Sequence, residues 1–153
     1  MPLLRYTASA DNTIVNAFKP NLRVRGTGSN AGEADVLEVF SVYGRQSTSS
    51  QELSRVLMKF PIDEISHNRS SGSVSFYLKV FNAVSSKTVP ADITMVVNPM
   101  QSDWQEGIGL DLEGYADLTN GNIGSNWMSA SSTASWNSVS GGGDWLSSSA
   151  DYR

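Results

Sequence analysis

The chain has 153 residues, of which 39% are hydrophobic and 17% charged, and its formal net charge is −4. This length suits one domain, and the acidic balance argues against a nucleic-acid partner, which normally requires a basic surface. The absence of cysteine excludes disulfides and cysteine-ligated metals. No apolar run approaches the roughly 18 residues of a membrane span, so no membrane partner is expected.

Alternating apolar and polar residues, typical of half-buried strands, dominate the first two thirds of the chain. The segment Val36 to Tyr43 is apolar on both faces apart from Glu38 and Ser41, and it predicts a central or partner-covered strand. Three further strands are predicted by alternation, with the following residues on the core face: Val56, Met58, Phe60 and Ile62; Val74, Phe76, Leu78 and Val80; Ile93, Met95 and Val97. This pattern makes Phe76 a predicted core residue.

Turn-forming residues separate these predicted strands at short intervals. Examples are the glycine-rich run 26–32 and the serine-rich run 47–50, and Pro90 and Pro99 bracket the last strand. Such spacing favours an all-β fold, and we predict an antiparallel β-sandwich of the jelly-roll type spanning residues 1–153 as one domain. Residues 119–153, rich in Gly, Ser and Trp, are predicted to form a loop-rich C-terminal segment.

Two groups of residues are candidates for chemistry. The only histidine, His67, lies in a polar turn without a nucleophile motif, so we interpret it as a loop residue and expect no enzymatic activity. Acidic residues cluster around Trp104, and Asp103, Glu106 and Asp111 are the candidate calcium ligands because Ca²⁺ takes oxygen ligands from such loops. A solvated acidic turn is the interpretation that the sequence favours, with a bound calcium as the alternative, and no other cofactor is predicted.

Large aromatic and apolar residues are the candidates for binding. The tryptophans have three competing roles, as core residues, as interface anchors or as a surface that stacks sugars. The candidate ligand or interface residues are Trp104, Trp127, Trp136, Trp145, Val39, Phe40 and Tyr43.

Several motifs in order resemble the DNRLRE-type domain, a β-sandwich module of secreted carbohydrate-associated proteins and of tailed-phage virion proteins. The motifs that carry the resemblance are Ala10-Asp-Asn-Thr-Ile, Asn30-Ala-Gly, Val36-Leu-Glu-Val, Ser54-Arg-Val-Leu-Met-Lys-Phe, Trp104-Gln-Glu-Gly and Ala134-Ser-Trp-Asn. Two features depart from the family pattern. Pro61 replaces its Asp after Phe, and the sequence stops at Asp151-Tyr-Arg where a final strand should follow. Two explanations would account for the second departure: the last strand is formed differently, or this chain is the N-terminal part of a longer protein.

The resemblance implies a function in binding. The segment after Met1 lacks the apolar run of a signal peptide, which favours the phage branch of the family. We therefore expect a virion structural protein, at the head surface or in a tail fibre, made in the host cytoplasm. Its expected partners are other virion proteins and copies of itself. The alternatives are a carbohydrate-binding module, with a host surface glycan as ligand, and, more remotely, a glycan-cleaving enzyme.

Overall fold

The regular structure of the chain is a small antiparallel β-sheet. The structure is a computed structural model that describes residues 3–43, 50–61, 63, 75–84, 86, 91–110, 114–115 and 123–146. The strands are β1 (Ala10–Val15), β2 (Ser41–Tyr43) and β3 (Gln51–Lys59). They form one sheet in the order β1-β3-β2, with both pairs antiparallel. Among the described residues, helix is limited to Asp63.

Strand β3 is the centre of the sheet because it pairs along both edges. Its partners run from Ala10↔Lys59 to Val15↔Ser54 on one side, and from Ser41↔Leu53 to Tyr43↔Gln51 on the other. β-Branched residues favour the extended backbone, and β1 contains three in a row at its end, Thr13, Ile14 and Val15. All three are buried.

The hydrophobic core lies on one face of this sheet. Ile14 of β1 and Leu57 of β3 pack there against tryptophan rings supplied by irregular segments of the C-terminal half. The buried members of the cluster are Ile14, Leu57, Trp104, Trp127, Ala130 and Trp136. We call this the tryptophan core. Because aromatic side chains bury the largest apolar area per residue, three rings supply most of a core that aliphatic side chains of a second sheet would otherwise fill.

The prediction of an all-β chain is confirmed, since the regular structure is strand with almost no helix. The described residues do not form the second sheet of the predicted sandwich. Irregular backbone in 100–110 and 123–146 covers the sheet instead. Isolated antiparallel bridges, such as Met100↔Trp145 and Ser129↔Ser135, connect parts of this backbone to each other. Residues 123–146 contain isolated bridges but no assigned strand or helix.

Two of the predicted strands differ from the structure in extent or in the face they bury. In Val36–Tyr43 only Ser41–Tyr43 is strand, because the backbone before it bonds to side chains: Thr13 Oγ1 accepts from the Glu38 amide and Ser54 Oγ from the Phe40 amide. In β3 the predicted core face is wrong. Leu57 is buried on the opposite face, under the tryptophans, whereas Val56 and Met58 are half-buried.

The other two predicted strands are also wrong within the described residues. Segments 75–84 and 91–98 have no strand assignment, and all their residues are exposed. Phe76, the predicted core residue, is 64% exposed. Alternation alone cannot identify the surface that covers an apolar face, and in this chain the tryptophans occupy the core instead. Ile62, His67 and Val74 lie outside the described residues.

The tryptophan core predicts which leucines stabilise the fold. Leu57→Ala removes a side chain that is 4% exposed and should lower the free energy of unfolding by about 2–5 kcal/mol. Leu110→Ala is the matched control, because Leu110 is 55% exposed and its replacement should change stability by no more than about 0.5 kcal/mol. Urea unfolding followed by tryptophan fluorescence measures both values. Equal losses would show that the core is misassigned.

Candidate functional site

The four tryptophans do not form an exposed platform. Trp104, Trp127 and Trp136 are 9%, 6% and 5% exposed, and their rings lie in the tryptophan core. Two of the indole N–H groups bond inside the chain: Trp136 Nε1 donates to the Asn126 carbonyl at 2.8 Å and Trp127 Nε1 to the Ser140 carbonyl at 3.2 Å. Of the alternatives for these three residues, the structure therefore places them in core packing.

Trp145 takes part in a stack with an arginine. The Arg55 guanidinium carbon lies 4.0 Å from the centre of the Trp145 ring and 4.8 Å from that of Trp127. Arg55 Nη1 also donates to the Gly142 carbonyl, and burial lowers the pKa of Arg55. Cation–π contacts contribute about 0.5–2 kcal/mol each, more as water is excluded. The stack therefore fastens the C-terminal segment to β3.

Buried side-chain amides connect distant segments on this side of the sheet. Asn12 is fully buried, and its Nδ2 donates to the carbonyl and hydroxyl of Ser125 at 2.9 and 2.8 Å. Its Oδ1 accepts from the Ala31 amide at 3.0 Å. Asn30 makes the same pair of bonds: its Oδ1 accepts from the Gly109 amide and its Nδ2 donates to the Ile123 carbonyl. Each amide satisfies backbone groups that a neighbouring strand would satisfy in a complete sheet.

One carboxylate organises the loop that precedes Trp145. Asp144 accepts hydrogen bonds from the amides of Asn137 and Ser138, from the Asn137 side chain and from the Ser102 hydroxyl, at 2.8–2.9 Å. The amide of Asn137 is the main reason that the pKa of Asp144 lies below its ordinary value. The chain reaches this position through Gly141, Gly142 and Gly143, whose φ angles of 70°, 81° and 96° suit glycine.

A shallow polar depression lies over Trp104. It encloses about 330 Å³ and is lined by Asp103, Trp104, Gln105, Ser131, Ser132 and Thr133. Its lining combines the buried Trp104 with a carboxylate, an amide and three hydroxyl groups. Amide and hydroxyl groups of this kind can hydrogen-bond to a small polar ligand.

The described part of the acidic cluster does not converge on a cation. Asp103 pairs with Lys59 at 2.7 Å on the surface, while Glu106 Oε1 accepts from the Asp11 amide at 2.7 Å. Burial and the nearby Glu106 carboxylate raise the pKa of Asp11. No group of three metal-ligating side chains is assembled within the described ranges, and Asp111 lies outside them. Two of the three candidate calcium ligands thus have partners in the protein.

The apolar interface candidates near β2 lie at the surface. Val39 is 47% and Tyr43 72% exposed, whereas Phe40 is half-buried and its ring lies 5.8 Å from that of Tyr115. Val39 and Tyr43 are thus accessible to a partner, and Phe40 is largely committed to the chain itself.

A larger apolar surface lies on the two segments that were predicted to be strands, 75–84 and 91–98, which we call the extended segments. The large apolar side chains exposed there are Phe76, Tyr77, Leu78, Val80, Phe81, Val84, Ile93, Met95, Val96 and Val97. Because large exposed apolar patches mark interaction sites in soluble proteins, the extended segments are a candidate interaction surface.

The sequence motifs contain Asn12, Asn30 and Arg55 but do not predict that these residues, together with Asp144, hold the site together. An arginine and an asparagine inside strand-forming runs are the available signals, because both residue types are uncommon at buried strand positions. Asp144 follows three glycines, a pattern that indicates a tight turn but does not identify the amides that bind the carboxylate.

Comparisons with known proteins add no assignment. No protein-family model, no curated protein and no solved structure matches the chain.

The Asp144 loop predicts a pH dependence of stability. Because the pKa of Asp144 is lowered in the folded protein, its contribution is fully present above the ordinary value of 3.8 and is lost as pH falls through the folded-state value. Asp144→Asn should lower the free energy of unfolding at pH 7 and weaken its decline on acidification, measured by urea unfolding between about pH 2 and 7. Asp35→Asn, at an exposed aspartate, is the control. Equal pH profiles for both variants would contradict this role.

Proposed function

We propose that this protein is a non-enzymatic structural component that works through protein–protein contacts, in the setting expected from its resemblance, a tailed-phage particle. The observation that supports the proposal is the apolar surface of the extended segments. Tyr77 and Phe81 are 87% and 80% exposed, and Val96 is 79% exposed. When a partner covers such side chains, the free energy of the system falls by about 25 cal/mol per Å² of apolar area removed from water.

The charge distribution supports an apolar rather than an electrostatic contact. Within the extended segments only Lys79 and Asp92 are charged. Binding through these segments would therefore persist at high ionic strength, where the Debye length falls to about 3 Å at 1 M salt.

The placement of the tryptophans also favours assembly over sugar binding. A sugar stacks on an exposed ring face, and Trp104, Trp127 and Trp136 direct theirs into the core.

The described residues contain no helix long and apolar enough to cross a bilayer.

We expect Phe81→Ser and Val97→Ser, combined in one chain, to abolish self-association and to release the protein from particles. Both side chains are exposed, at 80% and 68%, so the core is untouched and the variant should unfold like the wild type. Val139→Ser is the matched control, because Val139 is 99% exposed and lies outside the extended segments. Sedimentation velocity in about 0.1 and 1 M NaCl, and retention on particles purified from producing cells and washed at the higher salt, measure the two effects. A wild-type chain that stays monomeric and leaves the particles would refute the proposal.

Carbohydrate binding is the second candidate function, and the depression over Trp104 is the observation that favours it. Gln105 and Thr133 on its rim present groups that hydrogen-bond to sugar hydroxyls. If this candidate is correct, soluble polysaccharides should change the tryptophan fluorescence of the wild-type chain, and Gln105→Ala with Thr133→Ala should remove the change. The control Val139→Ser should leave it intact. No response from the wild-type chain across a polysaccharide panel would exclude this candidate.

A further inference from the structure

The backbone of the extended segments has unused hydrogen-bonding capacity. No hydrogen bond between described residues involves the backbone of 75–84 or 91–98, although the two segments belong to one chain and both are described. Lys79 Nζ lies 4.9 Å from the ring centre of Phe81, so residues two apart project to the same side, as in a β-strand. The first segment therefore shows the side-chain spacing of a strand at this position, and neither segment has a neighbouring strand among the described residues.

We infer that the extended segments are assembly strands, and that segment 75–84 of one chain pairs antiparallel with segment 91–98 of a second copy. This inference rests on the proposed function and specifies its interface. The observation that carries it is the presence, in one chain, of two exposed alternating segments with complementary charge and no backbone hydrogen bond to another described residue.

Alternation and charge together select one register. Alternation requires even-numbered residues of the first segment to face odd-numbered residues of the second, which keeps apolar side chains together. Among the registers of this parity, the one that places Lys79 opposite Asp92 pairs the single charges of the two segments. It also sets Leu78 opposite Ile93, Phe76 opposite Met95 and Tyr77 opposite Thr94. Opposite charges and aromatic–aliphatic pairs in this position stabilise antiparallel strands.

The aromatic side chains of the first segment add apolar contact to this pairing. Phe76 and Tyr77 are 64% and 87% exposed, and an aromatic side chain presents about 200 Å². In this register their cross-strand neighbours are Met95 and Thr94, which cover part of each ring on opposite faces of the paired strands. Because each chain offers both segments, two chains pair twice around a two-fold axis, which closes the assembly.

Engineered cysteines test this pairing on a chain that has none of its own. Protein carrying Tyr77→Cys is mixed with protein carrying Thr94→Cys and oxidised, and we expect a covalent heterodimer on a non-reducing gel. Mixing Tyr77→Cys with Val96→Cys is the register control. It should give several-fold less product, because a two-residue offset along a strand, about 6.7 Å, moves the cysteines beyond disulfide reach.

The double variant Tyr77→Cys with Thr94→Cys separates the two sources of a partner strand. A covalent dimer supports pairing between copies. The inference would be overturned if the double variant gave a monomer with an internal disulfide, or no cross-link at all. It would also be overturned if the mixture with Val96→Cys gave as much dimer as the mixture with Thr94→Cys. If self-association persists in sedimentation velocity while the disulfide is internal, only this inference fails and the proposed function stands.

Charge reversal provides a second, independent readout. Each of the single variants Lys79→Glu and Asp92→Lys should self-associate more weakly than the wild-type chain, because each places like charges opposite each other in the proposed register. Combining the two changes in one chain should restore the wild-type sedimentation behaviour. Failure of the combined variant to recover would overturn the register, since both residues are exposed and neither supports the core.

Discussion

The fold depends on the packing of three tryptophan rings against one face of a small sheet. Strand β2 has only three residues and β1 six, and a sheet of this size is marginal in water unless its apolar face is covered. Trp104, Trp127 and Trp136 supply the cover from backbone that has almost no regular structure. Each ring is rigid and large, so a few residues can close a core that would otherwise require a second sheet.

Large rings can only pack in this way if the loops that carry them are held in position. Asn12 and Asn30 provide the main links, since each amide both donates to and accepts from backbone groups of other segments. Arg55 adds a third link through its stack with Trp127 and Trp145. Buried polar groups are costly when unpaired and specific when satisfied, so these side chains fix one arrangement among the many that glycine- and serine-rich loops can adopt.

The sequence predicts the local character of the chain well and its long-range contacts poorly. Alternation identified the region of β3, but assigned the core to the face of Val56 and Met58 rather than that of Leu57, because both faces of this central strand carry apolar residues. Segments 75–84 and 91–98 show the limit most clearly. Their pattern indicates a strand with a covered face, and no feature of the pattern states whether the cover comes from the same chain or from another.

The candidate site was predicted in part for the same reason. Tryptophans are conspicuous in a glycine- and serine-rich segment, so their importance is evident from composition, whereas their burial depends on contacts with Ile14 and Leu57 far away in the chain. Asp103 and Glu106 are near each other in sequence, yet the structure gives them different partners, Lys59 and the Asp11 amide. Spacing along a loop does not determine which way neighbouring carboxylates point.

The bond between Asn12 and Ser125 joins residues 113 positions apart, and this separation has a consequence for how the protein is made. The first strand leaves the ribosome long before the residues that satisfy its buried amide and cover its apolar face. Contacts between distant residues are slow to form because a long loop must close first. Until then the strand presents unpaired polar and apolar groups, the condition under which nascent chains associate wrongly. The contacts of β1 are therefore completed only after Ser125 has left the ribosome.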